Sequence, residues 1–425
     1  MIRKIIKLIR YPNLYFYDYF RKKLGFKKYF VTDKIRLLDA ANYQGWFRLP
    51  LTHPYLYLYY KLNKKLRNPT YPILVDYRIE DKEIVRGGGK CPTLAVELEK
   101  HNIIYFSDPE VVENVIAGKE IDFTGIIFKC NFNGIGNSIL INGGVKAWQE
   151  LRIKFLGDGN CVYIGPKSYL KGGEICFVGN NNTLEIEANC TFYPGLSVNF
   201  ERDDNYLYCG PNSRFGPSST LNFAAYNGLI FLYGNQTIKD IDARVGNGSI
   251  IFLGERVSNS GDVHLWAWAA KNILIGSDVM MSRFLLYRTS DVHLIYNKST
   301  YKRINNPKSI IIGDHVWIGQ SSTLLKGASI EDGSIIGACS IVTGHIPKYC
   351  IAVGSPAKVI KNDVFWDRTS ETLSNISELT KYDTYMESEK KYNHVGYNNL
   401  LKIDAIFSEI KAKEKLKLIQ NILHF

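Results

Sequence analysis

The feature that most constrains this chain is a sixfold beat in "IGDHVWIGQSSTLLKGASIEDGSIIGACSIV", where Ile312, Ile318, Leu324, Ile330, Ile336 and Val342 recur six residues apart. An α-helix keeps one stripe apolar by spacings of three and four, so a strict period of six scatters its apolar residues around the axis. The pattern fits short strands joined by tight turns, three strands to a coil of eighteen residues. Glycine follows Ile312, Ile318 and Ile336, where the chain must turn close beside its neighbour. The expected fold is a parallel β-solenoid.

Upstream the beat lengthens. Asn/Gly-rich turns followed by short β-rich runs appear as "GIGNSILI", "GDGNCVYI", "GNNNTLEI", "DDNYLYC", "AYNGLIFL", "GNGSIIFL" and "AAKNILI". They end on Ile141, Ile164, Ile186, Cys209, Leu232, Leu253 and Ile275, with spacings of 23, 22, 23, 23, 21 and 22. Each of these rungs therefore carries a few extra residues at one corner, and a continuous solenoid is expected over residues 119–361.

The flanks read differently. Residues 37–118 mix helical and strand-like patterns, as expected of a small domain capping the first coil, because a bare terminal rung exposes core and unpaired strand edges. Residues 362–425 lose the glycines, and "NNLLKIDAIFSEIKAKEKLKLIQNILHF" has helical apolar spacing, so a helical tail is expected, used for oligomer packing or for capping. The net charge of +12 is concentrated at the front: residues 1–28 hold nine basic side chains against Asp18 alone. That placement argues against a nucleic-acid partner along the solenoid. The segment 1–36, with no long apolar run, reads as neither signal peptide nor membrane span. It suits a basic amphipathic helix lying on an anionic membrane surface, and equally a basic helix docked on its own protein.

Eight cysteines include no C-x-x-C pair and no nearby histidine spacing of a zinc site, so buried thiols in a reducing cytoplasm are expected, with no metal. "RGGGKCP" lacks the spacing of a phosphate loop and reads as a connector. No paired carboxylates of glycosidase type and no nucleophile elbow appear, which argues against hydrolase chemistry.

Residues 289–361, with an Asp-x-His before a polar loop, "IGDHVWIG", Leu325-Lys326-Gly327, "IIGACSIV" and the closing "GSPAKVI", resemble the hexapeptide-repeat acyltransferases, particularly bacterial O-acetyltransferases of capsular and other surface polysaccharides. The resemblance implies a left-handed β-helix, usually trimeric, that takes acetyl-CoA into a groove between neighbouring subunits. It puts the catalytic histidine at His293. A sugar hydroxyl is too weak an acid to ionise at neutral pH, so a neutral imidazole must take its proton as the oxygen attacks the thioester carbonyl. Direct transfer then needs no acyl-enzyme.

Trp317 follows His293 by 24 residues; the resemblance implies that it lines the active site, holding the acetyl-pantetheine arm or a sugar face, and packing in the core is the alternative reading. Asp291 is a candidate for orienting the imidazole. By resemblance, Gly337, Ala338 and Ser340 form the small-residue coil along which pantetheine lies, and Lys326, Lys358 and Lys361 are candidates for the CoA phosphates or for solvated surface positions.

"DVHL" occurs twice, around His264 and His293. The two sit at different distances from their rung markers, and only His293 precedes a long polar excursion, "YNKSTYKRINNPK". His264 with Trp266 and Trp268 is read as a sugar-facing platform or as stacking within the solenoid. His315 is a minor candidate for facing the donor, and His345 is read as structural or surface. The expected activity is acetyl transfer to a glycan hydroxyl by a cytoplasmic, membrane-peripheral enzyme, the expected partners being glycan acceptor, further copies of the chain and capsule-assembly enzymes. The rivals are N-acetylation of an amino sugar and a non-catalytic glycan-binding scaffold.

Overall fold

The computed structural model describes residues 129–142, 145–147, 151–368, 392–406 and 408–424, together with earlier strands at Arg36–Leu37, Tyr71–Pro72, Asp76–Arg78, Thr93–Glu97 and Ile103–Ser107. Residues six apart fall on successive faces of one coil. Ile312, Ile318 and Leu324 stand on three different strands, and Ile330 returns to the first face in register with Ile312. The long-rung markers behave the same way. Ile141, Ile164, Ile186, Cys209, Leu232, Leu253 and Ile275 pair one above another in parallel register, and the column continues through Ile312, Ile330 and Ile346. This is the parallel β-solenoid that the spacing predicts.

The extra residues of the long rungs lie on the third face and at the corner that closes it. Ser197–Phe200 and Thr220–Phe223 have four residues each, against two in Ile341–Val342. The longer strands admit Phe155, Phe177, Phe200 and Phe223 to the interior as a column of stacked rings, with centroids 4.9, 4.6 and 4.6 Å apart. Such contacts contribute about 0.5–1.5 kcal/mol per pair beyond area burial. At the same corner Asn137, Asn160, Asn182 and Asn205 are buried in a ladder. Each Oδ1 accepts the backbone N–H of the residue one coil on, at 2.8–2.9 Å, ending on Gly228 at 2.7 Å.

The first face is covered on its outer side. Helix α1 (Tyr397–Asp404) and helix α2 (Ala412–Ile422) lay Leu400, Ile403, Leu416 and Ile419 against Tyr206, Tyr208, Leu229, Phe231, Ile250, Phe252, Leu274 and Ile311. Strands such as Leu229–Leu232 and Ile250–Leu253 are therefore buried on both sides, which is why they read as unbroken apolar runs rather than alternating ones. The helical tail thus lies along a side of the solenoid. Asp404 ties it down, accepting from Asn272 Nδ2 at 2.8 Å and from the Ser309 hydroxyl.

At the other end, Thr93–Glu97 and Ile103–Ser107 form an antiparallel pair, and Ile103–Ser107 joins Ser138–Asn142 in parallel. These strands continue the first face by backbone pairing. The proposed basic segment and the "RGGGKCP" connector lie outside the described residues. Among the described residues no helix is long and apolar enough to cross a membrane.

Candidate active site

After Arg288 the strand Met280–Arg288, which runs along the second and third faces, ends, and the coil does not close until Ile310. The intervening arm is built from its own hydrogen bonds. Asn297 N–H donates to Lys302 O at 2.9 Å, Tyr301 N–H to Asn297 O at 2.9 Å and Ile304 N–H to Ile295 O at 2.9 Å. Its root is Thr289, buried, whose hydroxyl receives the Trp268 N–H at 2.8 Å and donates to Trp268 O at 3.0 Å. His293 stands exposed where the arm leaves the coil.

The centre of the root is Asn305, only 5% exposed. Its Nδ2 donates to His293 O at 2.7 Å and to Asp291 Oδ2 at 3.0 Å, while Oδ1 accepts Ile295 N–H at 2.9 Å. The His293 N–H donates to Asp291 O at 2.8 Å. Val292, between them, has φ of 68°, a left-handed conformation that a β-branched residue adopts only under constraint. The backbone of His293 is thus held on both sides while its imidazole projects outward.

Asp291 does not orient that imidazole. Its carboxylate is taken by a close ion pair with Lys326 and by Asn305, and these bonds, the one from Lys326 foremost, hold it below the usual carboxylate range. Two residues on an extended strand would share a face, but the positive φ at Val292 removes that relation. Lys326, expected at the donor, is committed to Asp291.

His264 lies one coil earlier on the strand Ser258–Ala267, in register with Asp242 and Leu286. Its Nδ1 is 3.2 Å from Asp242 Oδ2 and its Nε2 is 3.3 Å from Asp262 Oδ1. Asp242 also accepts Trp266 Nε1 at 3.0 Å and Arg244 Nε at 3.0 Å. Burial raises this carboxyl, but the bonds from Arg244, Trp266 and His264 outweigh it and bring the group below its ordinary value. Trp266 is not a bare stacking platform: the Arg244 and Arg288 guanidinium groups, from the coils on either side, stand 5.0 and 5.4 Å from its ring. Trp268 lies over Gly246, where a Cβ would come within 2.9 Å of its ring.

Trp317 is on the outward surface of the second face, 37% exposed, and so is not a core residue. It stands in register with Ile335, Ile335 with Ile351 and Ile351 with Lys361, giving one row across the last coils. Lys358 and Lys361 are exposed on the final strand Ala357–Asn362, and Ala338 is exposed at the neighbouring corner. Gly337 has a packing reason for its size, since a Cβ there would meet Val353 Cγ1 at 2.6 Å. Ser340 is buried with its hydroxyl accepting Gly354 N–H at 3.1 Å, so it braces the turn and offers nothing to a ligand.

Beside Trp317 stands a residue that the sequence reading missed. Trp366, 6% exposed, lies beyond the last coil with its ring centroid 6.0 Å from that of Trp317. It stacks on His315 at 4.2 Å and 2°, and the pair exchange two bonds: Trp366 Nε1 donates to His315 O, and His315 Nε2 to Trp366 O, each at 2.8 Å. His315 Nδ1 bonds Asp278 at 2.8 Å. His315 is therefore a structural group, buried and engaged, and does not face a donor. His345 is at the surface near Ser329 and Glu331. Asn305 was missed because its polar excursion has no period, and Trp366 because the glycine beat has ended before "FWDR".

Residues 309–344 match the family described as bacterial transferase hexapeptide (six repeats). The chain is 34% identical over 153 residues to a polysialic acid O-acetyltransferase of Escherichia coli O1:K1, a match covering 36% of this chain and 49% of that one. It thus spans about half the length of that relative. To a polysialic acid O-acetyltransferase of Neisseria meningitidis it is 28% identical over 215 residues, covering 50% of this chain and 87% of the relative. Among solved structures, the polySia-specific acetyltransferase NeuO is similar, at 29% identity and a TM-score of 0.37, over 60% of this chain and 97% of that one.

Proposed function

From a chain that carries the bacterial transferase hexapeptide repeat and resembles polysaccharide O-acetyltransferases, we propose acetyl transfer from acetyl-CoA to a hydroxyl of a bacterial capsular or other surface polysaccharide. The observation that carries the reading is His293: an exposed imidazole whose backbone is clamped on both sides by Asp291 and Asn305. A general base needs a fixed origin and an open approach, and an imidazole is the side chain suited to take the proton of an attacking hydroxyl. His264, set between Asp242 and Asp262, is the poorer candidate because both of its ring nitrogens are already engaged, at 3.2 and 3.3 Å.

Acetyl-CoA supplies the activated acetyl group. His293 takes the acceptor proton as the sugar oxygen attacks the thioester carbonyl, and the same proton then passes to the leaving thiolate. Trp317 and the row through Ile335 and Ile351 to Lys361 offer an apolar strip ending in a cation, suited to a pantetheine arm with phosphates beyond it. Lys358 adds a second cation on that strand. The Arg244, Trp266 and Arg288 row, one coil before the arm, suits an acceptor bearing acidic and hydroxyl groups. The exposed arm side chains Val292, Leu294, Ile295 and Tyr296 suit contact with a further copy of the chain, bringing donor and base together between subunits.

The test is to incubate the purified full chain with acetyl-CoA and non-acetylated surface glycans, following thiol release and product mass. Transfer that falls by about 10³-fold or more in His293→Ala is expected. Unchanged transfer by His293→Ala would refute the assignment of the base. Loss of the product acetyl in mild alkali marks an ester, and its retention marks an amide and the N-acetylation rival. Glycan binding without any CoA binding would favour the scaffold.

A further inference from the structure

We propose that Trp366 is a positioning residue for Trp317, so that the segment beyond the last coil forms part of the donor site; this rests on the role of Trp317 given above. Trp317 sits on a strand of only two residues, Trp317–Ile318, with its side chain outward. Its neighbours in register are Met280 and Ile335, in the coils on either side. Trp366 supplies a wall at a centroid separation of 6.0 Å and an interplanar angle of 48°.

The wall itself cannot drift. Trp366 is stacked on His315 and bonded to it in both directions, and His315 lies two residues before Trp317. The segment is held again by Arg368, whose guanidinium donates to Asp278 Oδ1 at 2.7 Å, Ser258 Oγ at 2.8 Å and Arg256 O at 3.2 Å. Asp278 in turn accepts from His315 Nδ1, closing a ring of contacts between residues 315 and 368. Burial raises the Asp278 carboxyl, but His315 and Arg368 more than offset this and keep it ionised. The strap therefore grips three successive corners, at Arg256, Asp278 and His315, and presents one indole to Trp317. A clamp alone would be complete with Arg368, Asp278 and His315; the indole at 366 adds a surface beside Trp317, at the head of the strip proposed for the donor.

Two measurements on the full chain test this. In kinetics, Trp366→Leu is expected to lower kcat/KM for acetyl-CoA about tenfold, the scale of a modest loss of orientation. Trp366→Phe, which restores a ring, should recover most of it. In a Trp317→Ala background, Trp366→Leu should change kcat/KM less than about twofold, because two residues acting through one contact are not additive. An equal tenfold loss in that background would overturn the proposal and make Trp366 a structural residue only. The second measurement needs no activity: with 5-fluorotryptophan in the six tryptophan positions, the Trp317 fluorine resonance, assigned through Trp317→Phe, should shift or broaden in both Trp366 variants. An unmoved resonance overturns the proposal. If the wild-type chain transfers no acetyl group, the functional reading fails on its own, while the fluorine signal still decides whether Trp366 sets Trp317.

Discussion

Asn305 does more for the candidate site than any residue with obvious reactivity. It is nearly buried, and four groups converge on its single amide: His293 O, Asp291, Ile295 N–H and the Arg303 side chain. Removing it breaks the bonds that hold His293 O, Asp291 and the Ile295 N–H to the root of the arm, and frees the backbone that carries the candidate base. Asn305→Ala is therefore expected to cut kcat by roughly 10²-fold while the melting temperature of the solenoid moves little, since the loss is confined to the arm. Steady-state kinetics with circular-dichroism melts check this, and a variant that melts far below wild type would show that the arm is integral to the coils. Asn305→Asp should be at least as damaging, because it keeps the shape but sets a second carboxylate beside Asp291.

At the scale of elements, helix α2 owes its seat to apolar packing and to one buried cation. Lys415 is fully buried, with Nζ donating to Asn227 O at 2.8 Å, Gly248 O at 2.7 Å and Ser408 O at 2.9 Å. Burial lowers its pKa to about 8, below its value in the unfolded chain. Between those two values the unfolded chain binds a proton that the folded one does not, so stability rises with pH there. In urea titrations from pH 8 to pH 10, wild type should gain stability relative to Lys415→Met. A constant difference across that range would show that the ammonium stays charged, held by its three carbonyls. The coils themselves were readable because a column of Ile, Leu and Cys must recur once per turn, and both the eighteen- and the 22-residue rungs keep that count. The seat of the tail was half-written in "GLIFL" and "SIIFL", unbroken apolar runs that mean burial on both sides. It was not read because the same runs serve equally as one-sided strands near turns. Asp291 misled because alternation along a strand was carried into a corner, where Val292 breaks it.

At the scale of the molecule, a solenoid is quasi-one-dimensional, each coil touching only its neighbours. The tail breaks that rule, since α1 and α2 touch coils from Tyr206 to Ile311 at once. Two deletions of 23 residues separate the effects. Removing residues 142–164, outside the tail's footprint, rejoins Ile141 to the column at Ile186, and the shortened chain should still fold and melt in one transition. Removing residues 210–232 takes away Leu229 and Phe231 and displaces the remaining helix contacts, so it should release the tail, seen as rapid amide exchange in residues 397–422. Equal protection of those amides in both variants would contradict a fixed seat.

The marker column carries one more consequence. Each coil advances the stack by about 4.8 Å, and the candidate base enters through a single corner between Ile275 and Ile312 without disturbing the pairing on either side. The molecule is in this sense a ruler with one tooth: rungs can be added or lost upstream while the candidate base stays at the same mark.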